Sequence, residues 1–322
     1  MRRSIGAVAF VALLALGSSA AQADYPDRPI RIIVPYTPGG TIDVVARMIG
    51  PRLTAAWGQP VVIDNRPGAG GNIGADAVAK APPDGYTLFL ATNAPLTINV
   101  AAYQNIRYDP LRDFVPITVA GENPIMLVAH PSLPASSVRE LIALAKAKPG
   151  DLAAGTSGLG TTAHLSLAQF NKLAGVDVRH IPYRGGVPSL TAAVAGEVPL
   201  AFSDNVPAMP LVRDGRLKAL ASTGQRRSGI SPDVPTMVEA GLPGFDIVAT
   251  SWFAAPGGTP MDIVRKLNRE VLRALNDPEF RDKLRTMGLD PLGFTPEEAA
   301  AFLRSELPRW KSIVTEAGVK LE

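Results

Sequence analysis

The stretch VPYTPGGTIDVVARMI, residues 34–49, begins at the end of a branched apolar segment, IRIIVPY (30–36). It passes through Pro38, Gly39 and Gly40 into apolar residues Ile42, Val45, Met48 and Ile49 at helical spacing. The pattern predicts a buried strand, a short uncharged loop and an amphipathic helix. Two readings of the loop stand side by side. It is an ordinary strand-to-helix turn, or its glycines let backbone approach a ligand while Thr41 caps the helix and Asp43 sits in its first turn. In the second case free N–H groups and the positive end of the helix dipole face an anion.

Strand-like and helix-like segments alternate along the chain. PVVIDN (60–65) and GYTLFLAT (85–92) are two further strands, separated by RPGAGG and a helical NIGADAVAKA. A second series follows: PIMLVAH (124–130), a helix over 136–148 capped by Ser136 or Ser137, then LAAGTSGLGTTAHLSLAQFNKLAG as strand, Gly-rich turn and helix. DVRHIPYRGG and VPLAFSDN supply two more strands around the helical VPSLTAAVAGE, and the C-terminal residues are helical. Continuous apolar strands between helices predict an α/β protein with a parallel sheet covered on both faces. Two such units predict two lobes with a cleft between them, ligands binding at the carboxyl ends of the strands. The crossovers fall near 119–123 and 247–252. The first lobe is then 24–123 plus 250–322 and the second 124–249.

Bulk properties narrow the function. The 322 residues are 46% hydrophobic and 19% charged, a globular balance. Arg2 and Arg3, an apolar run over 5–16 and Ala21-Gln22-Ala23 read as a signal peptide cleaved after Ala23, so a periplasmic protein is expected. Cleavage removes two of the arginines behind the net charge of +3, and no basic stripe with interleaved aromatics is present, which argues against nucleic acid. The absence of cysteine excludes thiolate metal sites, Cys nucleophiles and disulfides.

GTSGLGTTAHLSL (155–167) repeats the first loop's design in the second lobe, and two such loops could grip an anion from opposite sides. RPGAGGNIG places Gly68, Gly70 and Gly74 at the wrong spacing for a dinucleotide fingerprint, and no Gly-Lys-Ser/Thr follows any of these glycines. GTSGL resembles a nucleophile elbow, but Leu159 replaces its second glycine, and no convincing acid follows Ser157 and His164. His130, His164 and His180 are too widely spaced for a zinc site, and His130 and His180, inside apolar strands, read as structural. Tyr183, Arg184 and Gly185 end one strand and Ser203 and Asp204 another. Arg184 either pairs with a carboxylate or stays solvated. Asp204 either meets an ammonium or hydroxyl, holds water, or caps the next segment. No catalytic residue, metal or cofactor is expected.

These motifs occur in a recognisable order: YPDRPIRIIVPYTPGGTIDVVARMI, GQPVVIDNRPGAGGNIGADAVAKAPPDGYTL, GTSGLGTTAHL, HIPYRGGVPSLTAAVAGEV, SPDVPTMVEAG and SWFAAPGGTP. The chain resembles the Bug family of periplasmic receptors, solute-binding components of tripartite tricarboxylate transporters, over essentially its whole mature length. It departs at Ser231, where the family usually begins LPDVPT, and at Thr161, which keeps the hydroxyl of the family's GSxxH. The resemblance implies a two-lobed, type II-like Venus-flytrap fold that holds a small carboxylate (a di- or tricarboxylate, an amino acid or an aromatic acid) in the interdomain cleft. By position, the first-lobe contacts are Tyr36, Thr37, Gly39, Gly40, Thr41 and Asp43, with Thr92 and Asn93 at the end of the third strand. Those of the second lobe are Thr156, Ser157, Gly158, Gly160, Thr161 and His164, joined by Arg184, Gly185 and Asp204. The implied partners are the permease subunits of such a transporter, the receptor acting as a monomer. A receptor feeding a membrane histidine kinase and an exported hydrolase remain as alternatives.

Overall fold

In Ile30–Val34 every side chain except that of Arg31 is buried, as a strand covered on both faces requires. The computed structural model describes residues 25–286 and 288–321, so the expected signal peptide lies outside the described residues. This strand, β1 (Ile30–Val34), leads into α1 (Thr41–Trp57), β2 (Val61–Asn65), α2 (Asn72–Ala79) and β3 (Thr87–Thr92). A π-helical turn and the short α3 (Asn99–Ala102) bring the chain to β4 (Phe114–Ala129), 16 residues long. The second series is α4 (Val138–Ala147), β5 (Ala153–Thr156), α5 (Thr162–Ala174), β6 (Arg179–Pro182) and α6 (Gly186–Val194), then β7 (Leu200–Asp204), α7 (Asn205–Arg213) and β8 (Lys218–Ser222). β9 (Val248–Pro256) runs back to α8 (Met261–Asn276), α9 (Pro278–Thr286), β10 (Asp290–Pro291) and α10 (Pro296–Glu316).

The strand order is β2-β1-β3-β9-β4-β7-β5-β6, with β8 and β10 also paired to β4. β1 lies parallel to β2 and β3, and β5 parallel to β6 and β7. The expectation of parallel pairing throughout fails where the lobes join. There β4 and β9 pair antiparallel with each other, β9 with β3 and β4 with β7. The reason is connectivity: β4 carries the chain into the second lobe and β9 carries it back, so the two crossing strands run in opposite directions. Phe114 to Pro124 of β4 pair with β9, while Ile125 to Ala129 pair with β7. Register shifts at Pro116/Thr118 and Val119/Gly121 bend the strand just before it changes lobe.

Alternation along the strands builds a core on each face. Ile30, Ile32 and Val34 pack with Val45 of α1 and Leu267 of α8, whereas Ile33 packs on the other face with Phe89 and Trp252. In the second lobe Leu127 and Phe202 face Phe170 of α5, and Met126 and Val128 face Leu190 of α6. Ala299 and Leu303 of α10 join the first lobe's core, while Trp310 and Val314 join a cluster that holds Ala94, Ile98 and Ala102 of the first lobe together with Leu127 and Phe202 of the second. At about 1.5 Å per residue the 21 residues of α10 reach roughly 30 Å, enough to lie along both lobes.

Candidate functional site

β1, β3, β5, β6 and β7 all end toward one place between the lobes, and α1, α5, α6 and α7 begin there. Between them is a cavity of about 30 Å³. The first lobe lines it with Tyr36, Thr37, Gly40, Thr41, Ile42 and Thr92. The second contributes Ser157, Thr161, Thr162, Ala163, Gly186 and Asp204, and the crossing strands add Ile125 and Ala249.

Three of the four helices start without a side-chain cap; the N-cap of α7 is Asp204, whose carboxylate makes no cap hydrogen bond. The N-cap of α1 is Gly40, in ordinary extended conformation, and that of α6 is Gly185, at φ 139°. Thr41 is therefore not the cap that the sequence predicts; it is the first helical residue. Its buried hydroxyl lies by the Asp204 carboxylate without completing a hydrogen bond of good geometry. Free first-turn N–H groups and the helix dipole make each such end a place for negative charge. α5 differs, because the Thr161 hydroxyl accepts from the N–H of His164 at 3.3 Å.

Asp43 lies outside the cavity. Its carboxylate accepts from the Gly39 N–H, Arg47 Nε and Asn65 Nδ2, each at 2.9 Å. Burial alone would raise this carboxyl, but those three donors outweigh it and hold it below the ordinary carboxylate value. Asp43 braces the 37–40 loop. Asp204, by contrast, faces the cavity. Burial raises its carboxyl, and the Asn123 amide, donating at 3.1 Å, together with the neighbouring Thr41 hydroxyl, only partly offsets the rise.

The other expected residues fall behind or beside the cavity. The Thr156 hydroxyl lies 2.6 Å from His180 Nε2, and Gly160 donates its N–H to His164 Nδ1 at 3.2 Å. The two imidazoles stack at 4.0 Å with planes 10° apart. Burial depresses both, His164 to about 3 and His180 to about 4, so both are neutral. Neither ring lines the cavity; the pair supports the 156–161 loop from behind. Asn93 is fully buried and ties the lobes together, its Oδ1 accepting from the Thr162 hydroxyl at 3.1 Å and the Thr250 N–H at 3.4 Å. Gly185 packs against Thr37, Gly39 lies beside Val187, and Gly158 and Arg184 line a neighbouring chamber.

Gly186, Thr162, Ala163, Ile42, Ile125, Ala249 and the bridging Asn123 were not legible as site residues. Gly186 had a signal, the second glycine of RGG before a helix, and Asn123 is a polar side chain ahead of the apolar run PIMLVA. The apolar members carry none, since a core residue and a cavity wall look alike in sequence.

Two α/β lobes joined by antiparallel crossing strands, with a small polar cavity between opposed helix N-termini, define a two-lobed periplasmic binding protein. The family model described as "Tripartite tricarboxylate transporter family receptor" matches residues 45–319, and the chain belongs to that family. It is 40% identical over 317 residues to Protein BugT of Bordetella pertussis, an alignment covering 97% of this chain and 96% of BugT. Among solved structures, R. palustris Rpa4515 with adipate superposes with TM-score 0.90 at 38% identity, covering 92% of this chain and 99% of that one. MatC from Rhodopseudomonas palustris with bound malate superposes with TM-score 0.84 at 35% identity, covering 90% and 100%.

Proposed function

We propose that this protein is an exported receptor that closes on a small carboxylate and presents it to the membrane subunits of a tripartite tricarboxylate transporter. The observation that carries the reading is the pair of helix N-termini without side-chain caps, α1 at Gly40 and α6 at Gly185, that meet at a cavity also lined by Thr41. The carboxylate accepts from first-turn N–H groups of both helices and from the hydroxyls of Thr41 and Ser157. Charge-assisted hydrogen bonds of about 1.5–3 kcal/mol each accumulate once closure excludes water. No bond of the solute is made or broken, and the ligand acts by shifting the population toward the closed form. The crossing strands β4 and β9 are the hinge, with the second lobe taken as 124–249. Relatives solved with adipate and with malate support a carboxylate as the solute class.

The test is a thermal shift of the mature protein against mono-, di- and tricarboxylates, amino acids and aromatic acids. A ligand at a hundred times its Kd adds about 2.7 kcal/mol, a rise of a few degrees. A hit confined to one carboxylate class supports the reading. Stabilisation by uncharged or cationic solutes alone would overturn it.

A further inference from the structure

The cavity between the helix ends is small. About 30 Å³ is roughly two to three times the 10–15 Å³ that one water needs, room for a carboxylate head and little else. Beside it lies a second chamber of about 210 Å³ that also borders on Tyr36 and Ser157, so these two side chains form the partition.

The chamber's walls come from both lobes. The first contributes the loop carrying Pro67, Gly68 and Gly70, together with Pro35 and Tyr103. The second contributes Leu159, Pro182, Tyr183 and Arg184. The roof exists because the lobes touch: Tyr103 donates its hydroxyl to the Leu159 carbonyl at 3.2 Å, and a Cβ at Gly70 would collide with that same carbonyl. Gly68, Ala69, Gly70 and Gly71 all adopt positive φ, so this loop turns tightly with its backbone toward the second lobe. Ala69 is the one non-glycine residue at positive φ among the described residues, and such backbone strain collects at ligand clamps.

The chemistry of the walls is one-sided. Prolines, tyrosine rings and Leu159 make them apolar, none of the lining residues is acidic, and the one cation is the exposed Arg184. Arg184 stands two residues before Gly186, which lines the carboxylate cavity, so the backbone separation is at most about 7 Å.

Resting on the receptor reading above, we propose that this chamber is a tail subsite. It takes the methylene chain of a straight α,ω-dicarboxylate past Tyr36 and Ser157 and delivers the distal carboxylate to Arg184. The head cavity then recognises an acid, and the chamber sets its length and demands a second anion.

Calorimetry on the mature protein tests this with straight-chain dicarboxylates from malonate to suberate and with monocarboxylates of the same lengths. Affinity for the dicarboxylates should rise with length to an optimum and then fall. Arg184→Gln should weaken the optimal dicarboxylate about ten- to a hundredfold, the worth of one charged hydrogen bond, and change the matching monocarboxylate less than about twofold. Arg184→Glu should shift the preference to the ω-amino acid of the same length. Arg184 is exposed, so both variants should fold, and unchanged melting temperatures check this. Equal effects on both series, or none, with carboxylates still binding, would overturn the tail subsite and leave the receptor reading intact. If no carboxylate of either series binds, the receptor reading falls and the subsite with it.

Discussion

Asn123, on the strand that both lobes share, donates its side-chain amide to the carboxylate of Asp204 at 3.1 Å. The crossing strand therefore holds the only acidic side chain that lines the head cavity among the described residues. Domain closure and the charge state of the site meet at this bond.

Asp204 sets one of two pH dependences. Because burial raises its carboxyl, the folded protein keeps this proton to higher pH than the unfolded chain does. Between the ordinary carboxylate value and the raised one the folded state binds more protons, so stability falls as pH rises through that window. Asp204→Asn should remove this slope and raise Tm at neutral pH. The same variant should tighten plain carboxylates, whose charge Asp204 repels, and weaken acids bearing an ammonium or hydroxyl donor. Titration of both classes checks it; an equal change in both would remove Asp204 from selectivity.

Gly185, like Gly70, sits where the two lobes meet most closely. A Cβ there would collide with the Thr37 hydroxyl, and φ 139° is strained for any L residue. Gly185→Ala should weaken binding at least about tenfold, about 1.4 kcal/mol. Small-angle scattering should find no ligand-induced compaction in this variant. Gly40→Val is the complement: at φ −74°, with only the Thr37 carbonyl near its Cβ, the new side chain fits the backbone and fills the head cavity instead. It should abolish binding with Tm within a degree or two of wild type.

The stacked His164 and His180 predict acid lability. Their folded values near 3 and 4 lie below the unfolded value of about 6.5, so the unfolded chain takes up these protons first. Their contribution is whole above about 6.5 and is lost as pH falls through the window toward 4 and then 3. The urea midpoint should drop between pH 7 and pH 4, and His180→Gln should flatten that drop. A variant profile parallel to wild type would assign the acid sensitivity elsewhere.

The Asp43 brace predicts a loop effect without a ligand contact. Asn65→Ala leaves Asp43 Oδ1 without its amide donor and should cost about 1–3 kcal/mol in denaturant unfolding. Hydrogen exchange at Gly39 and Gly40 should speed up. Unchanged protection there would mean that the loop holds its shape without the brace.

Much of this architecture is legible from patterning. IRIIV, TLFLAT and LAFSD announce buried strands, and the glycines after IRIIV and around GTSGLG mark turns that open helices. The two aspartates show where legibility stops. Asp43 and Asp204 each sit at the start of a helix after a strand, and nothing local tells them apart. Arg47, one turn after Asp43, is a visible i+4 partner, but Asn65 comes from β2 and Asn123 from β4. Those contacts make one carboxylate a brace and leave the other facing the cavity.

Hydrophobic period, glycine and turn chemistry act over a few residues, so the alternating α/β elements, the two Gly-rich loops at strand ends and the likeness to carboxylate receptors can be read along the chain. Tertiary structure alone decided the antiparallel crossing of β4 and β9, the seat of α10 across both cores, and the withdrawal of His164 and Asp43 from the cavity. It also decided the second chamber, whose walls lie far apart along the chain. Those features depend on which distant side chains share one space, and that is fixed when the sheet closes and the two lobes meet.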